Sequence, residues 1–124
     1  MLSARVGFFG STKLNPANVG TLNGWWDASD TTTITTVSGA VSQWNDKSTN
    51  ARHLSQGTAA NRPGTGTLNG LQCLTFNGTS HHLIRTPGVA GLNGTYFIAW
   101  KSNAPASQNY AAFAVGVSSP SQSQ

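Results

Sequence analysis

Residues 25–48 read WWDASDTTTITTVSGAVSQWNDKS and hold every acidic residue of the 124-residue chain, Asp27, Asp30 and Asp46, beside three of its four tryptophans. No glutamate occurs anywhere. Between the acids, residues 31–37 are β-branched at every position, which restricts χ1 and favours a pleated strand. Ser38-Gly39 is a natural turn, and GAVSQWN (39–45) continues beyond it. The stretch therefore predicts strand, turn, strand, with carboxylates in the loops at either end.

The same pattern extends outward. LQCLTF (71–76), HHLIR (81–85), TYFIAW (95–100) and YAAFAVGV (110–117) read as further short strands, several of them near-continuous apolar runs of the kind that fill a sandwich. Asn-Gly stands at 23–24, 69–70, 77–78 and 93–94, and this dipeptide is a strong hairpin signal because both residues tolerate positive φ. FNGTSHHL (76–83) reads as strand, tight turn, strand, and Asn77-Gly-Thr79 and Asn93-Gly-Thr95 are read as turns that happen to match glycosylation sequons. QGTAANRPGTGTLNG (56–70) reads as a polar surface loop. Related tetrapeptides at 21, 67 and 91 share no useful period and are recurring turns. Many short strands with frequent turns predict an all-β sandwich or barrel.

Composition narrows the function. Only 8% of residues are charged, against about a quarter in an average globular protein. The net charge of +4 reflects scarce acids: the seven basic residues, Arg5, Lys13, Lys47, Arg52, Arg62, Arg85 and Lys101, are scattered. Nucleic-acid binding normally shows a basic cluster or stripe, so no nucleic-acid partner is expected. The single cysteine, Cys73, lies in an apolar run and reads as a buried thiol. The longest apolar run is far short of a membrane span, and no membrane partner is expected. The first residues, MLSARVGFFGSTKLNP, carry no secretion h-region; release within a phage particle would suit such a chain.

The ordered motifs WWDASD, VSQWNDKSTNARHLSQ, NRP and LNGLQCLTFNGTSHHL resemble the concanavalin A-like (laminin-G-like) jelly-roll domains of phage and bacterial structural proteins, over about residues 24 to 100. The chain differs at Thr49, where such domains usually carry glycine, and at Asn77, where aspartate is common. They also generally continue with further strands past the TYFIAWKS segment. The resemblance implies a jelly-roll sandwich, either pared down or the front part of a longer polypeptide. It divides the chain into an N-terminal arm (1–22), the sandwich (23–117) and a tail or linker (118–124).

The candidate site residues follow. A glycoside hydrolase needs a carboxylate pair; this chain has no glutamate, and Asp27 and Asp30, three apart, would face opposite sides of an extended strand. No catalytic residue is assigned. Asp27, Asp30 and Asp46 could offer oxygens to calcium, but aspartates in turns also cap backbone N–H groups, which is the preferred reading. No other cofactor is expected. Trp44 and Trp100 read as core. Adjacent Trp25 and Trp26 must diverge, so one of them is expected at a partner surface, together with Phe8, Phe9 and Leu14 of the arm. The expected function is a non-enzymatic virion protein (head decoration, fibre or tail-associated) that attaches to other virion proteins, forms homo-oligomers and contacts host-surface glycans. A soluble carbohydrate-binding module is the alternative, and a glycan-cleaving enzyme the third reading.

Overall fold

The computed structural model describes residues 15–85 and 95–102. Among the described residues there are five strands in two antiparallel sheets, no α-helix, and three single 3-10 turns. The protein is β-rich, as the turn-punctuated sequence predicts.

The opening stretch forms the larger sheet. Strand β1 is Ile34–Val37 and β2 is Ala40–Trp44. They join at Ser38 (φ 53°) and Gly39 (φ 79°), both left-handed as a two-residue type I′ connection requires. The pairing runs Val37 to Ala40 and Thr36 to Val41, then slips to Thr35 with Gln43. Ser42 is the extra residue of this bulge. Its hydroxyl donates to the Thr35 carbonyl at 3.1 Å, and its own carbonyl accepts from the Gln56 amide at 2.9 Å. A bulge adds twist and redirects the strand; here it lets β2 meet β3, Leu54–Ser55, on its other edge.

Three of the seven β-branched residues do not join the strand. Thr31–Thr33 form a 3-10 turn, because the Asp30 side chain caps the Thr32 amide and offers the backbone an alternative to the ladder. Local hydrogen bonding outweighs β propensity at that point.

The smaller sheet lies in the segment read as a polar loop. Gly64–Leu68 is strand β4, paired in continuous register with β5, Leu71–Thr75, through the Asn69-Gly70 turn. Glycine-rich GTGTL has weak strand propensity, yet its glycines meet a close neighbour. A Cβ on Gly64 would approach Thr75 Oγ1 to 2.9 Å, and one on Gly66 would approach Thr75 Cγ2 to 2.8 Å. The sheets are tied where the Val41 amide donates to the Pro63 carbonyl at 2.8 Å. Val41 and Pro63 are both fully buried, and they are the only buried apolar side chains among the described residues.

Several other expectations differ. FNGTSHHL is not a hairpin: Asn77 Oδ1 accepts from the amides of Thr79, Ser80 and His81, winding the chain into a capped loop. HHLIR contributes one bridge, Ile84 to Ser55, in place of a strand. TYFIAW carries no strand, and Trp100 is 58% exposed, not core. Trp44 and Cys73 are half-buried. YAAFAVGV, Phe8, Phe9, Leu14 and the 118–124 tail lie outside the described residues.

Candidate functional site

The densest polar structure in the described chain is built around Asp46, which is only 7% exposed. In the run Trp44-Asn-Asp-Lys-Ser48, an aspartate two residues before a serine is poised to fold back on its own backbone as an Asx turn. Oδ1 accepts from the amides of Ser48 and Trp25, each at 2.8 Å. Oδ2 accepts from the Ser48 hydroxyl at 2.6 Å and the Arg52 amide at 2.9 Å. Ala51, with φ 51°, takes the left-handed conformation immediately before Arg52. The Asp46 amide in turn donates to Nδ1 of His53 at 3.1 Å.

This loop grips the chain entering the sheet. The Lys47 amide donates to the Trp25 carbonyl at 2.7 Å. Asn50 Nδ2 reaches the carbonyls of Leu22 and Asn23 at 2.9 and 3.2 Å. Trp26 Nε1 donates to the Arg52 carbonyl at 3.1 Å. Trp26 also lies over Gly24, where an added Cβ would collide with its ring. Loop and entering segment thus form one clasp.

Asp27 and Asp30 converge, contrary to the extended-strand expectation. The Asp30 amide donates to the Asp27 carbonyl at 3.3 Å, so the chain turns between them. The turn brings both Oδ2 atoms onto Lys47 Nζ, at 3.2 and 2.8 Å. The ammonium also lies 4.4 Å from the Trp25 ring centroid, where the ring's negative face attracts it. The opposite oxygens act as caps: Asp27 Oδ1 on the Ser29 hydroxyl, Asp30 Oδ1 on that of Thr32, each at 2.6 Å.

These contacts set the protonation of the group. The Ser29 hydroxyl, with Lys47, outweighs partial burial and holds Asp27 below the usual carboxylate range. The Lys47 ammonium, then Thr32, does the same for Asp30. For Asp46, burial alone pushes the pKa up, but the Ser48 hydroxyl and the amides of Trp25, Ser48 and Arg52 together bring it below its ordinary value. Lys47 is raised, first by Asp30 and then by Asp27, against the pull of desolvation. A glycosidase acid needs a carboxyl raised toward neutrality; all three acids here are shifted the other way.

Every carboxylate oxygen of the three aspartates accepts from a protein donor. The Lys47 ammonium sits where a cation would bridge Asp27 and Asp30. Among the described residues no three His, Cys, Asp or Glu side chains gather to hold a metal. Trp25 and Trp26 are both half-buried within the clasp.

A second knot, missed in the sequence, centres on Gln56, 6% exposed. Its Nε2 donates to the His82 carbonyl at 3.2 Å and its Oε1 accepts from the Thr58 amide at 3.0 Å. Arg62 clamps the same turn from the carbonyls of Gln56 and Gly57, both at 2.9 Å. The Asn-Arg-Pro run was the only hint, since a buried glutamine inside a polar segment has no periodic signature. Polar saturation is thus the chemistry of both knots, and it fixes loops.

The large apolar side chains stand elsewhere. Phe97 is 88% exposed, and Ile98 and Trp100 are each at least half exposed. No protein family, curated protein or solved structure matches the chain.

Proposed function

We propose that the chain is a non-enzymatic structural protein of a virion, a head-decoration, fibre or tail-associated component built on a concanavalin A-like jelly-roll sandwich. It attaches to other virion proteins and displays the sandwich outward, where it contacts host-surface glycans. The observation that carries this reading is the division of labour in the site. All three carboxylates are spent on clasping loops, while large apolar side chains at 97–100 remain on the surface. Exposed apolar patches mark interaction surfaces, and weak contacts repeated over many copies on a particle give high avidity. The resemblance carried by the ordered motifs of residues 24 to 100 supports the virion setting.

The test is recovery of the protein from purified particles by mass spectrometry, with neighbouring reading frames that encode capsid or tail proteins. Deleting residues 1–22 is expected to abolish incorporation. Neighbouring polysaccharide-utilisation genes, with absence from particles and glycan binding by the monomer that is lost on Trp25→Ala or Trp26→Ala, would favour the carbohydrate-binding module.

A further inference from the structure

The charge on this chain is unevenly distributed once the clasp is formed. Of seven cations, one, Lys47, is paired with Asp27 and Asp30, and the third acid, Asp46, is buried. The side chains of Asp27, Asp30, Asp46 and Lys47 together sum to −2, and the other six cations of the chain, Arg52 of the same loop among them, are accompanied by no further acidic side chain. Arg52, Arg62, Arg85 and Lys101, all among the described residues, have no side-chain carboxylate left in the chain to pair with. Lys101 is exposed and directly follows Phe97, Ile98 and Trp100, the most prominent exposed apolar run.

We infer that residues 97–101 dock an acidic protein face with an apolar centre. This rests on the reading that the protein attaches to other virion proteins. Aromatic and aliphatic side chains supply the desolvated middle of an interface, and charge acts at its rim. Beyond Asp27, Asp30, Asp46 and Lys47 every charged side chain is positive, and exposed Lys101 adjoins the apolar run, so a complementary partner carries carboxylates beside the apolar seat. Such complementarity speeds encounter and rejects basic competitors. A protein face fits better than a dense polyanion, because the cations are dispersed singly along the chain instead of forming the stripe that nucleic acid selects. Large apolar contact is also what a phosphate or sulfate backbone does not provide.

The experiment uses the 124-residue protein and four labelled probes, read by fluorescence anisotropy. They are a synthetic peptide alternating Asp/Glu with Leu/Phe, the same peptide with Asn/Gln for its acids, a heparin fragment and an oligothymidylate. The acidic peptide is expected to bind about tenfold more tightly than its amide counterpart, and to weaken about tenfold from low to high salt as screening sets in. Phe97→Ser with Trp100→Ser, and separately Lys101→Glu, are expected to weaken it by about fivefold or more, because central anchors and complementary charge carry binding. These side chains are exposed, so a far-ultraviolet spectrum and melting temperature like the parent's are expected for each variant. Tighter binding of heparin or oligothymidylate, equal binding of the two peptides, binding to none of the probes, or variants that bind like the parent would each overturn the inference. Peptide binding needs no particle. Binding by a protein absent from particles sinks the virion reading alone, and failed binding by a protein present in them sinks this inference alone.

Discussion

Trp25 and Asp46 are joined as if they were strand partners: the Trp25 amide donates to Asp46 Oδ1 at 2.8 Å, and the Trp25 carbonyl accepts from the next amide, Lys47, at 2.7 Å. A side chain thus supplies half of a backbone-like pairing across twenty-one positions. The arrangement closes β1 and β2 into a loop without a further strand.

Asp46→Asn is expected to destabilise the protein by about 2–3 kcal/mol, since it turns one oxygen into a donor facing the Ser48 hydroxyl and Arg52 amide and leaves buried donors unmatched. Urea melts of parent and variant measure it. Coincident curves would show that the clasp is not a stabilising element.

Stability is expected to fall in acid. The three aspartates have folded pKa values below their ordinary value of 3.8, so the unfolded chain takes up protons first. Their contribution is complete above that value and is lost as the pH drops through the lower folded values. Lys47 has the opposite sign: its raised pKa adds stability below 10.5 that disappears as the pH climbs through the folded value. Melting temperatures recorded from acid to alkaline pH test both limbs, and Asp46→Asn should flatten the acid one.

Calcium is expected to leave the melting temperature unchanged, because the carboxylate oxygens already accept from protein donors and Lys47 lies between Asp27 and Asp30. A ligand that binds only the folded state would raise it by mass action. Melts with calcium and with chelator should superimpose; a calcium-dependent rise would mean that the ion displaces Lys47.

Gly66→Ala is expected to cost about 1–3 kcal/mol by overpacking, since the new methyl would meet Thr75 Cγ2 at 2.8 Å. Thr75→Ser removes that methyl. The double variant should recover much of the loss, a coupling of about 1 kcal/mol in a double-mutant cycle. Strict additivity would place the conflict elsewhere.

Ser38→Asn is expected to stabilise the β1–β2 hairpin by about 0.5 kcal/mol, because asparagine tolerates the left-handed conformation better than serine and Asn-Gly favours this turn. A lower melting temperature for this variant would contradict the turn assignment.

The sequence by itself determined the β-rich class, the two-residue turns at Ser38-Gly39 and Asn69-Gly70, strands β1, β2 and β5, and the concentration of acids beside one strand pair. Each is a local property, written in β-branching, turn chemistry or composition. Only the tertiary structure decided the rest. Strand β4 exists because Gly64 and Gly66 admit Thr75, a neighbour unreadable from local propensity. Asp27 and Asp30 face one way because a turn between them, with Lys47 beyond, overrides the extended geometry their spacing suggested. Trp25 and Trp26 are held in a clasp and Trp100 is left exposed. Burial of an aromatic depends on what packs against it from distant positions, and that is settled by long-range hydrogen bonds and contacts instead of by the residue's own chemistry.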